Sequence, residues 1–474
     1  MAPTGLDIIY QRSIYPRKPS SSQIFRRLRG PSRGAPRPSN SEIDFPFYPD
    51  WVLCIPMQAI FYKVNPVGWA TCKWLRYFWP GCLLSPLAGL SLRQVEPPSL
   101  PADDWVRVRT LMAGICGTDL ALLAQKQPPN SLLQAFSSMP MVLGHEALGE
   151  VVEAGPAVDR TWLGRRVCVD PTLGCEARGI EPPCPRCSEG LYGACQNFGA
   201  SGLGRSHLPP GTGIGYNSRT GGAFAENFVA HVSQLAAVPE GVSDELAVLT
   251  DPLACSLHAV LRLDLSGVRN VLIYGAGVLG LGIVAALRAV GFTGRIDTLD
   301  LHAYLGELAS AFGADEMLRL PGDNRARFET IARRTGGSVQ RARFGNYMLS
   351  GGYDAVIDCV GTKRSITESL KWTASRGQMV MLATGHGRGA DLTPIWFTEL
   401  TVLGTYGRQM ESWQGRRIGT YQLVHELMVA GKLNVSAMLT HKFPLAEYRR
   451  ALETGTYKST HKAVKVAFDM RGMP

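Results

Sequence analysis

Four cysteines lie close together in the sequence, at Cys175, Cys184, Cys187 and Cys195. Cys184 and Cys187 form a Cys-Pro-Arg-Cys pair, which eight residues separate from Cys175 and seven from Cys195. Such a group of thiolates is typical of a closed tetrahedral Zn²⁺ site, in which the metal stabilises a fold. A redox-active Cys-x-x-Cys pair is disfavoured because no thioredoxin-like βαβ pattern surrounds it. We therefore predict a lobe over residues 175–195 that a structural zinc folds.

A second set of metal-binding residue types is dispersed along the chain. It consists of Cys116, the neighbours His145 and Glu146, and Asp251. Taken singly, each has an ordinary structural explanation: a small core thiol, a buried imidazole, or an N-cap for a helix that begins at Pro252. From the residues alone, these structural explanations are the better ones.

A glycine motif predicts a dinucleotide-binding turn. Gly275, Gly277 and Gly280 form Gly-x-Gly-x-x-Gly between an apolar strand at 271–274 and an Ala-rich helix at 281–290. The glycines serve, in order, a tight turn, close approach of the backbone to a pyrophosphate, and helix packing on the strand. The intervening Val278 and Leu279 belong to the same turn, and the helix N-terminus offers free N–H groups to the phosphates.

An acidic residue follows the motif at the distance expected of a ribose ligand. Asp300 ends a second predicted strand, 295–300, and lies 25 residues beyond Gly275. A carboxylate there accepts hydrogen bonds from the ribose hydroxyls and repels a 2′-phosphate, so NAD is favoured over NADP. The alternative is a Gly-rich turn in another α/β protein with Asp300 as a helix cap, which the strand and helix on either side disfavour.

Composition and charge narrow the functional class. The chain has 474 residues, of which 45% are hydrophobic and 19% charged, enough for two or three domains. Its formal charge is +10, but residues 1–56 hold eight Lys/Arg and four Asp/Glu. The remaining positive charge is spread out, which suits an anionic cofactor and does not support nucleic-acid binding.

The first residues predict a disordered extension, 1–56. Residues 1–41 are rich in Arg, Ser and Pro and poor in acids, so they cannot bury enough apolar surface to fold. An organelle transit peptide has a similar composition, but the prolines oppose the amphipathic helix that such a peptide needs. Met57, which opens a predicted strand, is an alternative natural start. We favour a dispensable tail and a cytoplasmic protein.

Residues 66–92 combine five aromatic side chains with basic residues and prolines. Lys73, Arg76, Pro80 and Pro86 interrupt the run of about 20 apolar residues that a membrane-spanning helix needs, and we expect no transmembrane segment in the chain. Two interpretations remain. The segment is either an anchor in the membrane interface or an aromatic-rich excursion of the chain that packs on its domain, and we favour the packed excursion.

The pattern of predicted elements changes along the chain. Short strands and Gly turns continue to about Pro239, and from Leu253 strands alternate with helices, as in a doubly wound parallel sheet. The polar stretch 323–352 predicts a surface helix and loop. Residues 403–474 return to mixed strands with one helix at 420–429.

The ordered motifs of the chain resemble those of the zinc-dependent medium-chain dehydrogenases, the alcohol and polyol dehydrogenase family. The matching stretches are Gly114-Ile-Cys-Gly-Thr-Asp119, Gly144-His-Glu146, the four-cysteine lobe, Asp251-Pro-Leu-Ala254 and Gly275 to Gly280. The resemblance covers 57–474 and implies a GroES-like β-barrel catalytic domain, 57–252 and 403–474, into which a Rossmann NAD-binding domain, 253–402, is inserted.

The resemblance also implies roles for residues at the matching positions. Cys116 and His145 correspond to the first two ligands of a catalytic zinc, and Thr118 to the hydroxyl that accepts the substrate proton. Asp119 corresponds to the carboxylate that orients the zinc-bound imidazole. Asp251 stands where polyol dehydrogenases place Glu and many alcohol dehydrogenases Cys. Because Asp is one methylene shorter than Glu, either the backbone shifts or Glu146 helps to complete the ligand set.

Two departures from the family pattern stand out. Ala121 occupies the position of a histidine that often completes the proton relay, so protons must leave through water or another group. The gap between the first two cysteines of the lobe has eight residues where the family usually has two. We expect Glu176 to Pro183 to loop out around the metal.

These expectations add up to an NAD-dependent zinc alcohol dehydrogenase with two zinc ions per chain. It would transfer a hydride between NAD and a secondary alcohol, polyol or sugar hydroxyl, with a small alcohol or carbonyl compound as substrate. The shortened Asp251 and the missing histidine motivate an alternative, a non-enzymatic or regulatory NAD(H)-binding relative with only the structural zinc. Zinc-free quinone or enoyl reduction is a third possibility, disfavoured by Cys116, His145 and Glu146. The resemblance further implies a homo-oligomer, either dimer or tetramer.

Overall fold

A computed structural model describes residues 56–126, 131–385 and 387–472. Apart from Pro56, the predicted extension 1–56 lies outside these ranges. The strands are β1 Met57–Tyr62, β2 Leu90–Val95, β3 Trp105–Gly114, β4 Met141–Val142, β5 Glu146–Ala154, β6 Arg166–Val169, β7 Asn227–His231, β8 Leu235–Ala237, β9 Asn270–Tyr274, β10 Arg295–Leu299, β11 Glu316–Leu318, β12 Ser338–Arg341, β13 Tyr347–Ser350, β14 Tyr353–Asp358, β15 Thr373–Met381, β16 Thr401–Gly404, β17 Met410–Trp413, β18 Arg416–Gly419, β19 Leu439–Phe443 and β20 Lys465–Asp469.

Helices fall mainly between the strands of the second half of the chain. They are α1 Pro66–Leu75, α2 Gly117–Leu123, α3 Cys175–Arg178, α4 Pro185–Ser188, α5 Asp244–Ala247, α6 Thr250–Leu261, α7 Val278–Ala289, α8 Gly306–Ala311, α9 Asn324–Thr335, α10 Lys363–Trp372, α11 Thr393–Phe397, α12 Thr420–Val429, α13 Tyr448–Thr456 and α14 Lys458–His461. In the described ranges, no helix has the length and apolar character that crossing a bilayer requires.

The predicted doubly wound parallel sheet is confirmed. Its strands lie in the order β11-β10-β9-β14-β15-β16, and every neighbouring pair is parallel. The strand order therefore reverses between β9 and β14, the point at which such sheets bind ligands beyond the carboxyl ends of their strands. The glycine turn 275–280 follows β9 at this position. β16 extends to Gly404, slightly beyond the predicted boundary at residue 402.

A second sheet joins the two ends of the described chain. It has the order β19-β20-β3-β5-β6-β8, with β7 also paired to β3, and a smaller sheet has the order β2-β1-β4. β20 pairs with β3 through Phe468 and Ala113, so a strand from the last residues completes a sheet built by the first half. The segment 270–404, which carries the parallel sheet, thus lies in the sequence between β8 and β19 of the second sheet.

One predicted surface loop is a β-hairpin instead. After the predicted helix, here α9, β12 pairs antiparallel with β13. Val339, Tyr347 and Leu349 pack their side chains on the apolar cluster that contains Phe328, which gives the hairpin a buried face. The alternation of apolar and polar residues in β12 and β13 is too short and too polar to predict this packing from the sequence.

The excursion 63–89 between β1 and β2 is packed only in part. α1 and the 3₁₀ turns Pro80–Leu84 and Pro86–Ala88 surround a small core of Cys72, Cys82 and Ala88. This agrees with the predicted packed excursion as far as the backbone is concerned. Most of its aromatic side chains, in contrast, are exposed.

A buried arginine organises the cysteine-rich lobe. Arg178 ends α3, is 0% exposed, and donates to backbone carbonyl oxygens from Leu173 to Gly211. These acceptors are Leu173 (3.0 Å), Phe198 (3.3 Å), Ala200 (3.1 Å), Leu208 (3.5 Å), Pro209 (3.2 Å) and Gly211 (2.7 Å). The segment after Cys175 therefore does not simply loop outward, because its first helical turn directs Arg178 into the lobe.

We expect Arg178→Met to lower the free energy of unfolding by more than about 3 kcal/mol, because several buried carbonyl groups lose their donor at once. Urea unfolding followed by tryptophan fluorescence measures this change. Arg205→Met is the matched control, since the Arg205 side chain is 65% exposed and should contribute little. Equal midpoints for the two variants would show that Arg178 is not the organising contact.

Candidate active site and metal centres

The four cysteines of the lobe converge as the spacing predicts. The Sγ atoms of Cys175, Cys184, Cys187 and Cys195 all lie within 4.8 Å of one another. Cys195 Sγ lies 3.7 Å from Cys175 Sγ and 4.0 Å from Cys184 Sγ. A tetrahedral zinc with Zn–S bonds of about 2.3 Å needs sulfur atoms roughly 3.8 Å apart, whereas a disulfide needs about 2.05 Å. The sulfur atoms therefore fit a structural zinc.

Backbone and amide donors around these sulfur atoms favour thiolates. Cys175 Sγ accepts from the Cys184 N–H at 3.3 Å and from Asn197 Nδ2 at 3.2 Å. Cys195 Sγ accepts from the Asn197 N–H at 3.3 Å. A hydrogen bond from Cys187, with these other donors, lowers the pKa of Cys195 to about 5. Burial raises the pKa of Cys175, and the hydrogen bond with Cys195 raises the pKa of Cys187, so a bound Zn²⁺ ion would have to displace the protons of these two thiols.

A second group of metal-binding side chains forms beside β3 and β5. One ligand atom from each of Cys116, His145 and Glu146 lies within 4.8 Å of the others. The antiparallel pairing of Gly114 with Glu146 brings the two chain segments together. A side chain at Gly114 would collide with the Glu146 carboxylate, so glycine makes room for it there. Thr118 lies in the same place, with its Oγ1 3.5 Å from Cys116 Sγ.

Asp119 fixes both the turn and the imidazole of this group. Its Oδ2 accepts from the Cys116 N–H at 3.0 Å, and its Oδ1 lies 3.3 Å from His145 Nδ1. Tyr216 Oη lies 3.4 Å from the same His145 nitrogen. With Nδ1 engaged, Nε2 is left for a metal. Burial acts to lower the pKa of His145, but the neighbouring Asp119 and Cys116 outweigh it and raise that pKa well above its usual range.

A buried lysine compensates the charge of Glu146. Lys465, on β20, forms an ion pair with Glu146 and donates to the Ile115 carbonyl oxygen at 3.1 Å. Burial acts to lower the pKa of Lys465, whereas Glu146 and Cys116 act to raise it, and the net shift is upward. Lys458 lies nearby, where burial and the charge of Lys465 lower its pKa. Glu146 is therefore paired with Lys465 and positioned beside Cys116 and His145.

The structure does not bring Asp251 into this group of ligand atoms. Its Oδ1 accepts from Arg408 and, at 2.8 Å, from Tyr421 Oη. Arg408 Nε also lies 3.4 Å from Asp170 Oδ1. Burial acts to raise the pKa of Asp251, but Arg408 and then His145 lower it below its ordinary value. The short Asp side chain thus remains near the site, engaged with Arg408 and Tyr421.

The dinucleotide motif has the geometry that its sequence predicts. Gly275 has a φ of +101°, and a side chain at Gly280 would collide with the Gly275 carbonyl oxygen. A Cβ at Gly277 would meet no atom within 4 Å, which leaves open space at the N-terminus of α7, where Val278 and Leu279 begin the helix. This space fits a pyrophosphate.

Asp300 lies beside this turn and is held by the backbone. Its Oδ2 accepts from the Ala276 N–H at 2.9 Å, and its Oδ1 accepts from the His302 N–H at 2.9 Å. The carboxylate is therefore fixed at the end of β10, next to the glycine turn, where a ribose is expected.

Sequence reasoning missed several residues of the site. Tyr216, Arg408, Tyr421 and Lys465 contact the predicted residues from distant parts of the chain. A tyrosine or a basic residue carries no motif of its own at these positions. The buried lysine and arginine could have been suspected only from the need to balance several predicted acids.

Comparison with known families matches most of the described chain. The alcohol dehydrogenase GroES-like domain matches residues 102–240, and the zinc-binding dehydrogenase domain matches residues 278–418. An L-threonine 3-dehydrogenase of Paraburkholderia phymatum is 31% identical over 77% of this chain and 92% of its own length. A sorbitol dehydrogenase of Arabidopsis thaliana is 28% identical over 81% of this chain and 94% of its own.

A solved structure shows the same fold. A zinc-binding dehydrogenase from Sinorhizobium meliloti, bound to NADP, superposes with a TM-score of 0.62 at 26% identity, covering 87% of this chain and 99% of that one. The predicted combination of a Rossmann sheet with a GroES-like domain is thereby confirmed. With its Cys₄ site and dinucleotide turn, the chain belongs to the zinc-dependent medium-chain dehydrogenases, NAD-linked oxidoreductases that act on CH–OH groups.

Proposed function

We propose that this protein oxidises a secondary alcohol, polyol or sugar hydroxyl to the carbonyl with NAD⁺, and catalyses the reverse reduction. The observation that carries the proposal is the convergence of Cys116, His145 and Glu146 beside Thr118. The relatives named as sorbitol and L-threonine 3-dehydrogenases support this class of substrate. The same convergence disfavours a non-enzymatic relative with only the structural zinc.

We propose that Cys116, His145 and Glu146 hold the catalytic zinc. One thiolate, one imidazole and one carboxylate form a donor set that zinc accepts, and three protein ligands leave a position for substrate. When bound, zinc supplies Lewis acidity, which stabilises the alkoxide of the alcohol near neutral pH. Asp251 as a direct ligand stays a prediction, and we propose that it mainly balances the charge of Arg408.

The chain's own residues would handle the proton. Thr118, whose Oγ1 lies 3.5 Å from Cys116 Sγ, would accept the substrate proton, and Asp119 would keep His145 in one tautomer and orientation. Because Ala121 cannot accept a proton, we propose that the proton passes from Thr118 to the cofactor ribose and then to water. Gly275, Gly277 and Gly280, with Val278 and Leu279, would seat the pyrophosphate, and Asp300 the ribose, which directs the nicotinamide toward the substrate.

We further propose a cytoplasmic location and a homo-oligomer, either dimer or tetramer. Every cysteine of the described ranges is free, which supports a reducing compartment. The family membership supports self-association, which light scattering after size-exclusion chromatography measures.

Metal content tests the catalytic site. We expect two zinc ions per chain in the unaltered protein and one in Cys116→Ala, because the second site loses its thiolate. NAD⁺ reduction with a panel of secondary alcohols and polyols should fall about 1,000-fold or more, since the metal contributes several kcal/mol to the barrier reduction. Elemental analysis and NADH absorbance measure both effects. Cys168→Ser, outside both groups, should keep two zinc ions, and one zinc in every protein would refute the catalytic site.

Asp251→Asn distinguishes a zinc ligand from a charge partner. If the carboxylate serves Arg408, the variant should retain two zinc ions per chain, because Cys116, His145 and Glu146 remain. Its free energy of unfolding should fall by about 1–3 kcal/mol, since Arg408 loses one of its buried partners. A zinc content of one per chain would instead assign Asp251 to the metal.

Asp300→Asn tests the choice of cofactor. The amide keeps an acceptor for Ala276 but removes the negative charge, so kcat/KM for NAD⁺ should fall about tenfold or more. The preference for NAD⁺ over NADP⁺ should shrink, because a 2′-phosphate no longer meets a carboxylate. Steady-state kinetics with both cofactors measure the ratio. Asp323→Asn, at the start of α9, is the control, and an unchanged ratio in Asp300→Asn would exclude the proposed role.

A further inference from the structure

The excursion 63–89 is longer than its connection requires. β1 and β2 are neighbouring antiparallel strands whose paired ends are Tyr62 and Leu90. Most hairpin connections use about two to five residues. The Lys63 N–H donates to the Gly89 carbonyl oxygen at 3.0 Å, so the excursion leaves and rejoins the sheet at one point. Its length is therefore not needed to join the strands.

The excursion is folded rather than loose. Cys72 and Cys82 are fully buried in its core. Gly68 on α1 packs against the backbone at Leu87 so tightly that a side chain there would collide with the Leu87 carbonyl oxygen. The Arg76 guanidinium donates to the Ala124 carbonyl oxygen at 3.3 Å, which ties the excursion to the end of α2. The surface that it presents is consequently fixed in shape.

That surface is apolar and aromatic. The exposed fraction of the residue is 74% for Val67, 66% for Trp74, 74% for Tyr77, 75% for Phe78, 52% for Trp79 and 40% for Leu87. We call these six residues the aromatic patch. The rings of Trp74 and Phe78 lie next to each other, with centroids 5.3 Å apart, and neighbouring exposed apolar side chains mark an interaction site more often than isolated ones.

Basic side chains accompany the aromatic patch, and acids are absent from its sequence. Residues 57–95 contain Lys63, Lys73, Arg76 and Arg93 but no Asp or Glu. Lys73 Nζ lies 4.6 Å from the centroid of the Trp69 ring, and the Arg76 guanidinium 5.3 Å from that of Tyr77. These cations therefore lie at the level of the rings and add positive charge to the patch.

This combination favours a lipid surface over a second copy of the chain. In a twofold contact that placed the patch against its own copy, cations would face cations, and residues 57–95 supply no acid to pair with them. Trp and Tyr, together with Lys and Arg, are the residues enriched where proteins meet lipid headgroups. We propose that the aromatic patch docks this dehydrogenase on membranes that carry anionic lipids.

Docking by this patch is peripheral. The rings of Trp74, Phe78 and Trp79 would enter the headgroup region, and Lys73 and Arg76 would face the lipid phosphates and carboxylates. No described helix is long and apolar enough to cross the bilayer. The patch lies on the excursion tied to the end of α2, the helix that begins beside Cys116.

Vesicle flotation with the full-length, zinc-replete protein tests the proposal. We expect binding to vesicles of 70% phosphatidylcholine and 30% phosphatidylserine, little binding to pure phosphatidylcholine, and weaker binding in high salt. Lys73→Gln should weaken partitioning about fivefold, since a cation near an anionic surface contributes about that factor, and it leaves the contact of Arg76 with Ala124 in place. Trp74→Ser combined with Phe78→Ser should weaken it at least about tenfold.

A matched control tests whether exposed aromatic residues elsewhere on the surface also contribute to vesicle binding. Trp396 and Phe397 are 72% and 63% exposed on α11, and their double serine variant should bind vesicles like the unaltered protein. NAD⁺ reduction in solution should be unchanged in all patch variants, which shows that they fold. Failure to bind the anionic vesicles would overturn the proposal. Unchanged vesicle binding of Trp74→Ser/Phe78→Ser would also overturn it and would point to the basic residues 1–41. Dissociation of an oligomer by that variant would overturn it as well, because the patch would then serve self-association.

Discussion

Buried negative charge that must be balanced is the constraint around which this structure is arranged. Cys116, Asp119 and Glu146 gather around His145, and Asp170 and Asp251 lie together a short distance away. Buried charge is costly unless it is paired. The cations that form ion pairs with Asp251 and Glu146 come from late in the sequence, Arg408 just before β17 and Lys465 on β20. The return of the chain to the first sheet therefore completes the electrostatics of the site as well as its fold.

The two metal centres are connected through the segment that carries Arg408. The Met410 N–H donates to the Gly190 carbonyl oxygen at 3.0 Å, within the cysteine-rich lobe. At Gly193, a Cβ would come within 2.8 Å of the Tyr406 carbonyl oxygen and 2.9 Å of that of Arg408, so only glycine permits this approach. A zinc that folds the lobe thus also supports the backbone that places Arg408 between Asp170 and Asp251. A structural zinc in the lobe would therefore support the surroundings of Asp170 and Asp251 without touching substrate.

Local features of the fold and site could be predicted from sequence, and long-range partners could not. The glycine turn, Asp300 and the four cysteines are specified by neighbours a few residues away, and the structure gives them the expected geometry. Arg408 is separated from Asp251 by 157 residues and Lys465 from Glu146 by 319. No pattern in one sequence pairs residues so far apart. The sequence indicated that the Asp251 side chain is short for a zinc ligand, but only the fold shows that it contacts Arg408 and Tyr421. For Trp74 and its neighbours, the general tendency of aromatic residues to be buried gave the wrong expectation.

The hydrogen bond between Lys63 and Gly89 makes the excursion an exchangeable part of the molecule. Because its two ends are already adjacent in the sheet, we expect replacement of 64–88 by a tight turn to leave the register of β1 and β2 intact. The same property allows the excursion to be grafted onto another hairpin, since it brings its own core of Cys72, Cys82 and Ala88. Insertion at such a point is a simple evolutionary route by which an enzyme can acquire a new surface while its catalytic sheet stays unaltered.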